Sequence, residues 1–391
     1  MTMKAAFIRG VGMTAFGRFT ERSMKDLARE AIEAALADAG IQREELQAAY
    51  CANSMAGIVT GQESIRGQVI LNTLGITGIP VVNVENACAS GATAVHQGWL
   101  AVASGLHQVV LVLGVEKLFH ENREVSFRAL ASATDVELAA SNKGQSSFLQ
   151  ESSRRLARYM ETSGGTLEHV AKVAAKSRRH ASLNPLAQYR EAHTVEQILA
   201  SPVVAPPLTR LMCSPFTDGA AALVICSEQF IGRVEQVPVR IAASVLRSAG
   251  APGPLAGRTV EDAAQEAYRM AGIRADAIAV AEVHDTTAAS ELMLYERLGF
   301  CPIGGGPAFV DEGCADLAGR LPVNTSGGLI ARGHPVGATG VAQLCELTWQ
   351  LRSQAGARQV RGARAALAHN AGGTVAGEPA AVGLHILTTT S

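Results

Sequence analysis

Four side chains in this sequence have the means for covalent chemistry: Cys88, His334, His284 and His369. A thiolate is a strong nucleophile, and an imidazole can take a thiol proton near neutral pH. Cys88 stands where the alternating apolar residues of VVNVEN give way to the small residues of ASGATAVHQ. A strand handing over to a helix there would set the sulfur beside the first free N–H groups of the helix. Those groups and the helix dipole favour the thiolate. Ala87, Ala89, Ser90, Gly91, Ala92 and Ala94 leave little bulk around it, so another backbone or a thin acyl chain could approach. The alternative is a buried structural cysteine, since a free thiol packs as a small hydrophobe.

His334 lies in GLIARGHPVGATG, where glycines and Pro335 set a tight turn ahead of a helix. Positive charge is disfavoured at a helix N-terminus, so the ring there is biased toward neutrality. It could take the Cys88 proton and then hydrogen-bond an oxyanion; a histidine that only caps the turn is the alternative. His284 follows an apolar run at 277–283, and α/β folds place reactive groups at strand ends. It could donate to a substrate carbonyl, directly or through water. Asp285 could cap the next helix or orient an imidazole. His369 and Asn370 follow another apolar run at 364–368 and precede Gly372-Gly373. Those glycine amides could line an oxyanion pocket with the Cys88 N–H; a plain turn fits equally. Gly304-Gly305-Gly306-Pro307 reads as a flexible turn rather than a phosphate loop. Arg154, Arg155, Arg178 and Arg179 read as solvated faces that could still attract an anionic cofactor.

These residues need elements to hold them. The pattern predicts a strand at 4–11, then a helix from Ser23 or Asp26 to Ala39, closed by Gly40. A short strand at 46–52 and a helix at 64–74 follow. The run VVLVLG at 109–114 reads as a strand buried on both faces. From about 118 to 207 the chain is more polar, with helical stretches at 146–161 and 167–180, and it closes in a proline-rich link. This reads as an excursion over one end of a sheet. Strands at 218–226 and 239–245 resume the alternation.

The second half then repeats the first. Gly40-Ile41 matches Gly272-Ile273, and Ala31, Ala35 and Ala39 match Ala263, Ala267 and Ala271. More sharply, Gly91-Ala92-Thr93, Val95 and Gln97 match Gly337-Ala338-Thr339, Val341 and Gln343. In that register Cys88 falls on His334. Two such halves related by a pseudo-twofold would bring equivalent helix N-termini to one seam, so Cys88 and His334 are expected to meet.

With 391 residues the chain exceeds a usual single core, and two fused halves are expected: 1–250, carrying the insertion at about 118–207, and 251–391. Its net charge of −1 gives no basic field for nucleic acid or membrane. No apolar run approaches a membrane span, and the N-terminus does not read as a signal peptide. The seven cysteines lack CxxC pairs, which argues for a reducing, cytoplasmic setting and against a zinc ribbon.

NACASG around Cys88, DGAAALVI at 218–225, GHPVGATG at 333–340 and the duplicated halves resemble the thiolase superfamily across essentially the whole chain. EVHDTT and AHNAGG look most like its sterol-carrier-protein-type branch. The resemblance implies an α/β fold of five layers, αβαβα, a loop domain over the active site and a homodimer that could pair into a tetramer. It implies coenzyme A or acyl-CoA as substrate, with no metal and no nucleotide redox cofactor. It makes Cys88 the acyl carrier and His334 its base, with His284 holding a water at one oxyanion hole. The Cys88 and Gly372–Gly373 amides would form a second hole, and Ser90 belongs to the same cofactor-facing set. One departure stands out. Thiolases carry a second cysteine in CxGGG, and the sterol-carrier branch carries one in HDCF. Here those regions read His369-Asn370-Ala371-Gly372-Gly373 and His284-Asp285-Thr286-Thr287. His369 is then a candidate base. Relatives without those cysteines point to an alternative, a carbon–carbon lyase on a CoA thioester beside a small OB-fold or zinc-ribbon partner. A CoA-binding scaffold without activity is the third reading.

Overall fold

The computed structural model describes residues 3–139, 147–233, 237–250, 257–375 and 377–389. Its strands are β1 (Ala6–Met13), β2 (Ala48–Ala52), β3 (Val81–Val84), β4 (Val109–Glu116), β5 (Val203–Ala205), β6 (Leu208–Thr209), β7 (Gly219–Ser227), β8 (Val239–Ser248), β9 (Val280–Glu282), β10 (Ala365–Val375) and β11 (Glu378–Thr389). Nine of them run in the order β3-β2-β4-β7-β1-β8-β11-β10-β9. The two halves meet where β1 pairs with β8 at Phe7 and Ile8. Reading outward from that junction, β7, β4 and β2 on one side answer β11, β10 and β9 on the other. Even the edge is echoed, because Val323 bridges Ala281 in parallel where β3 pairs with β2. The duplication read from the sequence is therefore a duplication of topology.

The buried side chains sort into layers. On β4, Val109, Leu111, Leu113 and Val115 face a cluster with Leu27, Ala31 and Ala35 of the Met24–Ala39 helix. Val110 and Val112 face the opposite way, into a cluster shared with the Ser90–Ala103 and Thr339–Leu351 helices. On the far side, Leu367, Leu384 and Ile386 face the Thr259–Ala271 helix. The sequence of layers is helix, sheet, two central helices, sheet, helix. Strands covered on both faces have no polar side, which is why VVLVLG shows no alternation. Each such Val or Leu stabilises the fold by about 1.5–3 kcal/mol relative to exposure.

The helix boundaries follow the expected chemistry. Ser23 caps the first helix and Asp26 completes a reciprocal capping box. Gly40 and Gly272 both end their helices with left-handed φ values of 60° and 69°. One expectation changes and two gain detail. The Gly304–Pro307 stretch opens a short helix, Gly306–Asp311, with proline in its first turn. The helix expected from 146 runs over Ser147–Ser163, and residue 146 lies outside the described residues. The 118–207 excursion packs on the other half. Leu156, Val170 and Val173 join the core with Leu292 and Tyr295, and Lys176 pairs with the buried Glu291. The insertion thereby reaches across to the helix that follows His284.

Candidate active site

The central layer decides where the chemistry sits. The Ser90–Ala103 helix and the turn leading into Thr339–Leu351 cross at their N-terminal ends, and only glycine fits there. A Cβ on Gly91 would lie 2.9 Å from the Gly337 carbonyl oxygen, and one on Gly340 would lie 2.7 Å from Asn370 Oδ1. That crossing delivers Cys88 and His334 to one point. Cys88 Sγ, a ring nitrogen of His334 and a ring nitrogen of His284 all lie within 4.8 Å of one another. The His284 and His334 rings meet edge to face, 5.2 Å between centroids.

Each member is held by its neighbours. Glu85 accepts from the Ala87 N–H at 2.6 Å, and Ala87 adopts a left-handed φ of 48°. A residue with a Cβ is strained there, as backbone at reactive sites often is. His334 Nδ1 lies 2.7 Å from Thr339 Oγ1, whose hydroxyl donates to the Pro335 carbonyl. Nδ1 must then be the donor, which leaves Nε2 a bare lone pair, buried and without a partner. Asn370 Nδ2 donates to His284 Nδ1 at 3.0 Å, so the His284 proton sits on Nε2. His369 Nδ1 faces the His284 N–H at 3.5 Å, and its Nε2 is buried and unpartnered.

Burial governs the protonation states. It pushes His284 down to about 3 and holds His334 and His369 well below the ordinary histidine value, so all three rings are neutral. The Cys88 thiol is pushed up to about 12, first by burial and then by the Glu116 carboxylate, while the N–H groups of Cys88 and Gly373 pull the other way. The helix-dipole expectation of a resting thiolate is thus corrected: desolvation outweighs a terminal dipole. The Ser90 hydroxyl donates to Ala87 O at 2.6 Å and accepts from the Asn86 N–H at 2.8 Å, tying the nucleophile turn to itself. One other expectation is corrected. Asp285 does not cap the following helix. Thr287 does so, and Asp285 accepts from the Leu329 N–H at 2.7 Å.

A pocket of about 100 Å³ reaches Cys88, walled by His284, Thr286, His369, Gly372 and Gly373. Farther out it passes Phe148, Met293, Leu294, Arg155 and Arg297. Gly372 and Gly373 lie in β10, which stays paired with β11 to Val375, and not in a turn. Cys88 is the one thiol among the residues lining the pocket. Thr286 and His369 do line it, at the positions where thiolases carry their second cysteine. Cys213 bridges Thr287 through the backbone, but its sulfur turns to the Thr209 carbonyl at 3.5 Å. Of the arginines read as solvated, Arg178 is buried against the Tyr189 ring. Arg155 lines the pocket.

Glu116 has no counterpart among the residues singled out from the sequence. It ends β4 fully buried and accepts from Asn53 Nδ2 and from the N–H groups of Ser54, Met55 and Gly337. One carboxylate therefore joins the two lobes beneath the sulfur. The available signal was a lone acid closing an otherwise apolar strand.

The Thiolase, N-terminal domain model matches residues 6–229, and the Thiolase C-terminal domain-like model matches 247–383. The chain belongs to the thiolase family of enzymes. Among its relatives, an acetyl-CoA acetyltransferase from Methanothermobacter thermautotrophicus is 40% identical over 95% of this chain and 97% of its own. Human sterol carrier protein 2 is 37% identical over 95% and 70%. The benzoylsuccinyl-CoA thiolase subunit BbsB of Thauera aromatica is 36% identical over 95% of each chain. Among solved structures, an Ltp2-ChsH2(DUF35) aldolase superposes with a TM-score of 0.81 at 25% identity, over 99% of this chain and 98% of that one. Human mitochondrial 3-ketoacyl-CoA thiolase in complex with CoA superposes with a TM-score of 0.76 over the whole of both chains; at 20% identity it speaks for the fold.

Proposed function

We propose that this protein is an acyl-CoA acyltransferase of the thiolase type that carries its acyl group on Cys88. The observation that supports this best is the convergence of an orphaned, unprotonated His334 Nε2 with a buried thiol, contributed by opposite halves of the chain. The neutral imidazole takes the Sγ proton as the sulfur attacks a thioester carbonyl. Deprotonation and attack proceed together, because a free thiolate is disfavoured in this site. The Cys88 and Gly373 N–H groups, already aimed at the sulfur, hold the oxygen as it becomes negative. The proton then passes from His334 to the departing coenzyme A sulfur. His284 Nε2–H donates to a substrate carbonyl, directly or through water. His369 stands in the place of the missing second cysteine; its Nδ1 accepts from the His284 N–H, so its Nε2 carries the proton and serves the substrate as a hydrogen-bond donor.

The pocket of about 100 Å³ runs from Cys88 out to Arg155 and Arg297, which suits a thin acyl arm. Arg155 at the outer wall suits the phosphates of coenzyme A. No metal or nucleotide redox group enters this chemistry. The exposed edge strand β3, with Val82 outward, supports a homodimer. Seven free cysteines suit a reducing, cytoplasmic setting. We keep the division into halves at about 250 and an insertion at 118–207.

Incubation with a short acyl-CoA is expected to add the acyl mass to the Cys88 peptide, and Cys88→Ala is expected to add none. Full turnover in that variant would refute the reading. A second reading, carbon–carbon cleavage of a CoA thioester beside an OB-fold or zinc-ribbon partner, is favoured by the aldolase superposition and the absent second cysteine. Unchanged turnover in Cys88→Ser would select it.

A further inference from the structure

We propose that Cys88, His284 and His334 form a binding site for a soft divalent cation, zinc above all, and that filling it reversibly shuts the enzyme. The binding stands on geometry; only the inhibition rests on the acyl-Cys88 reading. A zinc ion sits about 2.3 Å from sulfur and about 2.0–2.1 Å from imidazole nitrogen, which sets its donors about 3.5 Å apart. The three donors here already lie within 4.8 Å of one another. Side-chain rotations that draw them in by about 1 Å complete the set.

The donors are also prepared in the way metal ligands are. A ligating histidine usually spends its second nitrogen on a hydrogen bond that fixes the ring. His334 does so through Nδ1 to Thr339, and its Nε2 lone pair is buried without any partner. Asn370 anchors the His284 ring through Nδ1 in the opposite sense, so ligation requires the ring proton to move from Nε2 to Nδ1, where the buried, unpartnered Asn370 Oδ1 can accept it once the amide turns. One sulfur and two imidazoles suit zinc, cobalt or copper and offer nothing to magnesium or calcium, which require oxygen. Cys88 and His284 line the pocket together with Thr286 and Gly373, so a water from it can complete the coordination.

The step balances without redox change. The metal–sulfur bond forms as the S–H bond breaks and one proton leaves to solvent; the His284 proton shifts from Nε2 to Nδ1, and each imidazole then donates its Nε2 lone pair. While the sulfur is occupied it cannot accept an acyl group.

The test uses Co2+ on metal-free full-length protein, because cobalt–thiolate bonding gives a near-ultraviolet charge-transfer band. Wild type is expected to develop the band, release one proton per ion and lose the band to added Zn2+ but not to Mg2+. Cys88→Ala is expected to lose the band. Thr339→Val, with its fold verified by circular dichroism, is expected to raise the Co2+ dissociation constant about tenfold or more. Prior acylation of Cys88 is expected to block the band. No thiolate band in wild type, or equal binding in folded Thr339→Val, would overturn the proposal. Since the readout is not turnover, a protein that acylates without binding Co2+ refutes this inference alone, and one that binds Co2+ without acylating refutes only the acyltransferase reading.

Discussion

At the scale of single residues, the site works by keeping its groups neutral until substrate arrives. Burial raises the Cys88 thiol to about 12 and holds the facing imidazoles unprotonated. Alkylation of Cys88 by iodoacetamide is therefore expected to be slow at pH 7. Its rate should keep rising through pH 10 without a plateau; a plateau near pH 7 would show a resting thiolate instead. Asn370 touches no substrate in this scheme but fixes which nitrogen of His284 carries the proton. Asn370→Ala is expected to lower kcat by about tenfold or more with a smaller change in KM, since loss of orientation costs rate before binding. Cys88 and His334 were legible because glycine and small residues surround them for reasons of close packing, and that spacing survives in the sequence. The protonation states were not legible. They depend on how much of the chain closes over the sulfur, and a local rule about helix ends cannot weigh that. Glu116 was hidden for the same reason, since its partners come from other segments.

At the scale of elements, the two central helices set the distance between thiol and imidazole, and glycines set the distance between the helices. Gly340→Ala would drive a methyl against Ala92 N and Asn370 Oδ1. It is expected to cost about 1–3 kcal/mol of stability as overpacking and to reduce acylation of Cys88 by displacing both partners. Gly40→Ala provides the contrast. That position is left-handed with nothing within 4 Å, so the cost is about 1–2 kcal/mol of backbone strain with acylation unchanged. Melting curves beside acylation rates separate the two. Equal acylation in both variants would show that the crossing does not position the site. The repeated helix ends at Gly40 and Gly272 were readable from sequence, as left-handed caps are written in glycine. The full length of β10 was not. AHNAGG carries no β-branched residue, and it stays extended only because β11 pairs with it through Val375.

At the scale of the whole molecule, the fold encloses ionisable groups well away from the pocket as well as within it. His180 donates to the Asn324 carbonyl, and His385 lies between Ser244 Oγ and the Ala92 carbonyl. Burial pushes both down to about 3 from an ordinary value of 6.5. An unfolded chain protonates these rings below pH 6.5 while the folded chain excludes the proton. Their contribution is therefore intact above pH 6.5 and lost as the pH falls toward 3. Glu116 and Glu282 act in the opposite sense, raised to about 7 by burial from 4.5. Between pH 4.5 and 7 the folded state holds their protons more tightly, so acidification through that window favours folding. Asp285, also raised by burial, adds to that side. Five buried histidines, counting His284, His334 and His369, outnumber these three acids, and each group changes the slope by about one kcal/mol per pH unit. The melting temperature is expected to fall between pH 6.5 and 5. His385→Gln keeps a donor and an acceptor but removes one titrating ring, so its melting temperature should fall less steeply across the same window. Glu282→Gln removes a group that opposes the decline and should steepen it. A melting temperature that stays flat in wild type, or variants whose slopes change in the reverse order, would show that these buried groups are not what couples the fold to pH.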